Sequence, residues 1–588
     1  MSIDSQKGAG LPAQGTPPVV PPSAPHSAVE KQVARSYNSA VANETLEDYS
    51  LRYAPKSFRR WSEYTVATTA LGGIAYLADF AIGASIAISH GFENALASVL
   101  VAALVIFLTG IPISYYSARY NIDMDLLTRA AGFGYLGSTL TSIVYASFTF
   151  IFFALEGSIM AQAFHLGFGL PLWIGYAVAS LIVIPIVIFG MTAMAKLQVW
   201  TQPVWLTLMF APFVFVAIKD PHSYAAFTHW SGGTDVKGGS TFSAVGFGAG
   251  MGVALSLIAQ IGEQVDYLRF MPDKTAANAK KWWTAVLAAG PGWVVLGAFK
   301  QIGGAFLAFL IVASAGTVVA DEPIEQFRHG LGVYITAGTL GVAVFFVVLS
   351  QIKINVVNAY SGSLSWSNFF SRLLHYHPGR VVWIFFNIGI ALTLMEANVF
   401  SFLNTVLGFY SNVAIAWIGA IVADLVINKP LGLSPSIVEF KRAHLYNFNP
   451  VGFVSMLIGS AVSIVAFEWG FGHGTFGTYA QAFSPFIALA LAFVLSPVFA
   501  VLTKGKYYIA REDTLPEPLT VDGQLSGVSM ECGVCTDHFE RPDMAYCPFH
   551  SSAICSLCCS LDKACHDMCK KGGASSGPVD LTLTRASS

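Results

Sequence analysis

Two groups of residues in this sequence could do chemistry. The first consists of ionisable side chains inside long apolar runs: Asp79 in LGGIAYLADFAIGASIA, Glu156 in FIFFALEGSIMAQA, Lys353 in VVLSQIKINVVNAYSG, Lys300, and the neighbours Glu263 and Asp266. A charge at bilayer depth is costly, so such groups pair with one another or serve ions and solutes. Pairing or snorkelling suits Lys300, Glu263 and Asp266. Asp79 and Glu156 lie deepest in their runs and read as solute-binding groups. Lys353 reads equally as a structural counter-ion or as the occupant of a cation site. The second group is the cysteines: all eight lie between Cys532 and Cys569. With His550 they read C-x2-C-x11-C-x2-H-x4-C-x2-C-x6-C-x3-C, and paired CxxC spacing suits tetrahedral zinc. An interleaved arrangement puts Cys532, Cys535, Cys555 and Cys558 on one ion and Cys547, His550, Cys565 and Cys569 on another, leaving Cys559 and His566 spare. An iron–sulfur cluster and a redox-sensing thiol set are the alternatives. No ligand position stays open, so about two structural zinc ions are expected, in a unit too small to fold without staples.

Neighbours sharpen the first group. Phe152 and Glu156 are four residues apart and share a helix face. An aromatic plane beside a carboxylate suits a flat heterocycle with ring N–H groups; Phe153 reads equally as packing. Asn355 and Asn358 also share a face, and each offers a donor and an acceptor. The run GFGAGMG, with Gly250 and Met251, has four glycines in seven residues. Glycine favours a broken helix there, although close packing through small residues needs the same glycines. Gly72 and Gly73 precede Asp79 in the same way. Breaks in the first and sixth spans, five apart, predict an inverted five-plus-five repeat.

The elements that must position these residues are membrane helices. The chain of 588 residues is 54% hydrophobic and 11% charged, against about 25% charged in soluble chains. Apolar stretches of bilayer-crossing length predict an all-α polytopic protein with about twelve spans, near 62–89, 94–116, 134–164, 170–190, 196–218, 242–268, 283–315, 332–358, 381–396, 399–427, 451–468 and 480–503. Lys and Arg cluster in alternate loops, at Arg52–Arg60, Arg119 and Arg129, Arg269–Lys281, Arg372 and Arg380, Lys429–Arg442 and Lys504–Arg511; the other loops hold Lys219, Lys237 and Arg328. The positive-inside rule then places both termini in the cytoplasm of a multi-pass inner-membrane protein. The expected organisation is a disordered Pro-rich segment (1–45), a membrane domain (46–505), a linker (506–529), a Cys-rich zinc-finger-like module (530–570) and a disordered tail (571–588). A net charge of −2 and the absence of a basic, aromatic-interleaved patch argue against nucleic acid. No phosphate-binding loop, nucleophile elbow or HExxH motif points to an enzyme or an organic cofactor.

Four stretches carry a family resemblance: YNIDMDLLTRAAGFGYLGS, GEQVDYLRFMPDK, QIKINVVNAYSGSLSWSNFF and IGAIVADLVINKPL. In order and spacing over residues 45–505 the sequence resembles the nucleobase–cation symport family, the purine–cytosine permeases and their hydantoin and allantoin relatives. The resemblance implies a LeuT-type fold of two inverted five-span repeats plus two helices, with substrate at the midplane between spans one, three, six and eight. It implies that Phe152 and Glu156 take the place of a substrate-contacting aromatic and amide, that Met251 or Phe247 stands at the span-six aromatic, and that Asn355 or Asn358 matches the span-eight Asn. Glu in place of the amide favours proton coupling. Sodium coupling through Ser350 is opposed by the charge of Lys353. Asp266 and Arg269 are expected as an inner-gate pair. The expected partners are a small solute, a coupling cation and lipid. The second reading is a solute receptor that signals to a cytoplasmic partner through its Cys-rich tail.

Overall fold

The computed structural model describes residues 48–233, 241–472, 474–515 and 529–570. The segments expected to be disordered, 1–45 and 571–588, lie outside them, as does most of the expected linker. Among the described residues, nine helices are long and apolar enough to cross a membrane. The shortfall from twelve has local causes. The first expected span is broken, and its second half joins the next expected span in Ala78–Tyr120, turned at Gly91 (φ 77°), a conformation glycine reaches without strain. The stretch at 170–190 is divided into Leu172–Leu181 and Ile184–Ile188. Arg380–Glu396 has only 17 residues.

The helices pair across the bundle. Ala78–Tyr120 packs along Trp293–Ala315, Ser138–Phe168 along Thr339–Leu374, and Leu403–Ala423 against Pro450–Trp469 and Ser484–Thr503. Glycine sets the closest crossing: a Cβ at Gly83 would lie 1.8 Å from the Gln301 carbonyl oxygen, and one at Gly304 2.1 Å from that of Phe80. This approach brings Lys300 against the first helix.

The first helix runs Glu63–Gly72, tightens through Gly73–Ala75, leaves helical geometry at Tyr76 and restarts at Ala78. The sixth expected span behaves differently. Its glycines lie inside a regular helix, Ala244–Ala254, and α geometry is left only at Leu255–Ala259 before Gln260–Leu268. Gly248 and Gly250 serve close packing instead: a Cβ would meet the Ala482 carbonyl at 2.9 Å and Ile86 at 2.6 Å.

The chain's described ends gather at one end of the bundle, called here the terminal face. The Cys-rich unit sits there. It consists of two short antiparallel pairs, Met530–Glu531 with His538–Phe539 and Met544–Cys547 with Ser552–Cys555, followed by the helix Ser556–Leu561. Its small core includes Leu51, Ala443 and Leu515 from outside the unit.

Candidate functional site

Breaking the first helix frees backbone groups that a continuous helix would pair internally. Buried side chains from two other helices take them up. Glu156 accepts from Leu77 N–H at 3.0 Å and Ala78 N–H at 3.1 Å. Lys300 Nζ donates to the carbonyls of Ile74 at 2.7 Å and Tyr76 at 2.8 Å, and pairs with Asp79 at 2.9 Å. Gln301 Nε2 donates to the other Asp79 oxygen at 2.8 Å. The Tyr76 ring centroid lies 3.6 Å from the ammonium. The carboxylate of Glu156 therefore sits at the positive start of one half-helix and the ammonium of Lys300 at the negative end of the other, as the helix dipoles favour. Asp79, Glu156 and Lys300 are all fully buried.

Glu156→Gln keeps one acceptor oxygen but turns an N–H donor toward the second freed N–H. It is expected to lower stability by about 1–3 kcal/mol, read as a fall in melting temperature in detergent.

The other expected residues are placed as follows. Phe152 and Phe153 are buried, and Phe152 packs on Phe148 with ring centroids 4.5 Å apart. Asn355 Nδ2 donates to the Phe153 carbonyl at 3.4 Å, tying two helices together, and Asn355 Oδ1 accepts from Asn358 Nδ2 at 3.1 Å within its own helix. Met251 is fully buried. Ser350 Oγ accepts from Trp205 Nε1 at 2.9 Å. Lys353 Nζ donates to Thr201 Oγ1 at 2.9 Å and to the Gln198 carbonyl at 3.3 Å. Asp266 and Arg269 have other principal partners than each other. Tyr145 OH donates to Asp266 at 2.7 Å, while Arg269 pairs with Asp123 at 3.1 Å and donates to Tyr360 OH at 2.9 Å.

Two cavities open on the side away from the terminal face. One, about 490 Å³, is lined by Ser85, Ser158, Gln162, Tyr176, Glu325 and Asn398 among others; the second, about 380 Å³, by Ser85, His90, Gly250, Asn404 and Gln481. They meet at Ser85 and Ser89, and their size suits a small organic ligand. Of the expected solute-binding residues only Gly250 lines either cavity. Reading the sequence for ionisable groups passed over Ser85, Ser158, Gln162 and Asn404. Their signal was available as uncharged polar residues inside apolar runs.

The terminal face is covered by an irregular strap of turns that follows residue 48. On its inner side, Arg269 donates to the Tyr49 carbonyl at 3.2 Å, Asn368 to that of Ser50 at 2.7 Å, and His377 Nε2 and Arg380 N–H meet Asp48 at 3.0 and 2.7 Å. On its outer side, Arg52 pairs with Asp543 at 2.8 Å, and Tyr53 OH donates to Glu540. The strap therefore lies between the membrane helices and the Cys-rich unit. Arg52→Gln removes one side of this sandwich. Faster amide hydrogen exchange is expected at 48–58 with no change in Thr339–Leu374; equal exchange in both would show that the pair carries no docking.

Within the unit, Cys532, Cys535, Cys555 and Cys558 are buried with their sulfurs within 4.8 Å of one another, an arrangement that could hold a metal ion. Cys555 N–H points at the Cys532 sulfur (3.3 Å) and Cys558 N–H at that of Cys555 (3.4 Å). These donors suit thiolates. The expected second set is not drawn together in this way; His550 Nε2 instead meets Asp562 at 2.7 Å. Glu439, His444 and Asp513 also converge, but Lys441 lies 3.6 Å from Glu439 and 3.2 Å from Asp513 and already supplies a cation. Burial alone would raise the Asp513 carboxyl, yet Lys441, His444 and Arg541 hold it down at about 2.

Known proteins resemble this chain at two levels. In fold it is similar to the nucleobase-cation-symport-1 family transporter Mhp1 in a closed conformation with bromovinylhydantoin bound, with a TM-score of 0.55, 15% identity, and coverage of 77% of this chain and 98% of that one. The inward-facing conformation of Mhp1 gives a TM-score of 0.53 at 14% identity, covering 77% and 94%. A sodium-coupled sialic acid symporter in a substrate-bound outward-open state gives 0.54 at 11%, covering 80% and 95%. No curated protein matches in sequence. These likenesses show the fold, a LeuT-like helical bundle. The family model for permeases of cytosine and purines, uracil, thiamine and allantoin matches residues 53–490. A multi-pass membrane protein with this match and this helix arrangement belongs to that family of cation-coupled, nucleobase-type transporters.

Proposed function

We propose that the chain is a secondary active transporter that carries a nucleobase-like solute, such as a purine, cytosine, allantoin or a hydantoin, across the cytoplasmic membrane with protons rather than sodium. The observation that carries the transport reading is the pair of cavities meeting at Ser85, on the helix that begins at the charged break beside Asp79, while the strap covers the opposite face. That is one state of an alternating-access cycle. Twelve crossings, with both termini in the cytoplasm, fit the basic residues gathered at the terminal face.

The support for protons is Lys300. Freed carbonyls at a helix break, joined by a carboxylate, are the oxygen donors a transporter offers to a coupling cation. Here the ammonium occupies the carbonyls of Ile74 and Tyr76 together with Asp79. Glu156, Glu263 and the Tyr76 hydroxyl are the other titratable groups around the break. A protein that carries its own cation there needs only to move a proton.

Asp79, Phe152, Phe153, Glu156, Gly250, Met251, Asn355 and Asn358 would meet the solute once it descends from the cavities. Their present contacts would open as the helices rearrange. The four gathered thiols would hold one zinc ion. A receptor reading draws support from the Cys-rich unit, which packs on the strap that closes the terminal face and could pass its position to a cytoplasmic partner.

Uptake of labelled purines, pyrimidines, allantoin and hydantoins into proteoliposomes tests these readings together. Accumulation of one compound, driven by a proton gradient and indifferent to sodium, is expected. Accumulation driven by sodium would overturn the coupling, and binding without accumulation would favour the receptor.

A further inference from the structure

The Cys-rich unit holds eight cysteines, and the gathered set uses four of them. The remaining four, Cys547, Cys559, Cys565 and Cys569, line a single small pocket together with Arg442 and Asp567. They come from three separate places: the end of the strand Met544–Cys547, the helix Ser556–Leu561, and the turns that follow it. No three of these sulfurs are drawn as close together as those of the first set, yet all four line the one pocket. His550, the ligand suggested by spacing, is held by Asp562 instead.

We propose that Cys547, Cys559, Cys565 and Cys569 form a second metal centre, a tetrathiolate site for zinc, and that Arg442 of the membrane domain supplies part of its counter-charge, together with Arg511 and Lys570. Four thiolates around a divalent ion carry a net charge of −2, which burial would penalise without nearby cations. Those cations are present. Arg442 lines the same pocket as Cys559 and Cys565, and Arg511 and Lys570 are the cations whose charge acts on Cys569. Arg442 also donates to the carbonyls of Cys559 and Asp562, both at 2.7 Å, and pairs with Asp567 at 3.0 Å. Asn447 donates to Asp567 at 3.2 Å.

Arg442 and Asn447 belong to the segment that joins the membrane helices Leu403–Ala423 and Pro450–Trp469. The two centres therefore divide the work. The first closes the fold of the unit. The second draws the chain from Asp562 to Lys570 inward and fastens it to the membrane domain. A tetrahedral site with Zn–S bonds of about 2.3 Å needs sulfurs about 3.8 Å apart. The turns at His566 and Asp567, both at positive φ, are where the chain would adjust to reach it.

The test is zinc content of the full chain, purified under reducing conditions, with hydrogen exchange on the same samples. Two zinc ions per chain are expected for the natural protein. Cys559→Ser, and separately the pair Cys565→Ser with Cys569→Ser, should each leave one zinc. Exchange should speed up at 439–449 and 562–570 and stay slow at 530–539. His550→Ala should keep two. One zinc in the natural protein, lost by Cys532→Ser and unaffected by Cys565→Ser, would overturn the second centre and leave the first standing. No zinc at all would overturn both. Loss of an ion in His550→Ala but not in Cys559→Ser would overturn this ligand set, and a disulfide between any of the four in peptide mapping would do the same.

Discussion

Lys300→Ala is expected to lower stability by about 3–5 kcal/mol, because removing one partner of a buried ion pair strands the other charge. Asp79 would keep Gln301 but lose its counter-charge, and the carbonyls of Ile74 and Tyr76 would lose their donor. The melting temperature of the purified protein in detergent reads this loss. The double variant Asp79→Asn with Lys300→Met removes both charges, so it should recover much of the melting temperature. It should not recover proton-driven accumulation. If Lys300 is the resident cation, the double variant should still exchange solute across the membrane without accumulating it. Recovery of both stability and accumulation would show the pair to be purely structural and would remove the argument against sodium. Stimulation of the Lys300→Ala variant by sodium, absent in the natural protein, would support the view that the ammonium takes a cation's place.

The second large effect concerns the first thiol set. Cys532→Ser combined with Cys535→Ser should abolish the gathered site. Structural zinc contributes about 10–16 kcal/mol to the folding of small metal-dependent units, far more than the thin core around Met544, Ile554 and Leu557 could replace. The unit should unfold while the membrane bundle keeps its helices. Chymotrypsin cleavage after Phe539, which is buried in the folded unit, should accelerate by at least about ten-fold, since proteolysis tracks the open population, with far-ultraviolet circular dichroism nearly unchanged. Unchanged cleavage would mean that the unit folds without metal. Loss of the unit should also free the outer side of the strap at Arg52 and Tyr53, so the same variant reports whether the unit restrains the closed face.

Much of this was legible in the residues. Apolar runs of bilayer length locate helices because an unpaired backbone is too costly in lipid. Gly72, Gly73 and Asp79 marked the break in the first helix, and the CxxC pairs marked the gathered thiols. The similar glycine run at 246–252 misled, since glycine permits a break and close packing alike; what lies opposite decides, here Ala482, Ile86 and Ser98.

The sequence by itself determined that this is a membrane-embedded helical protein with buried charges near a helix break and a separate thiol-rich unit, because polarity and spacing act locally along the chain. Only the tertiary structure decided the partners. Lys300 meets Asp79 across 221 positions of chain at 2.9 Å, and Arg442 reaches the thiol unit. Partner choice in a buried network depends on where two helices cross, and that crossing is set by the contact of Gly83 and Gly304 with the opposing backbones.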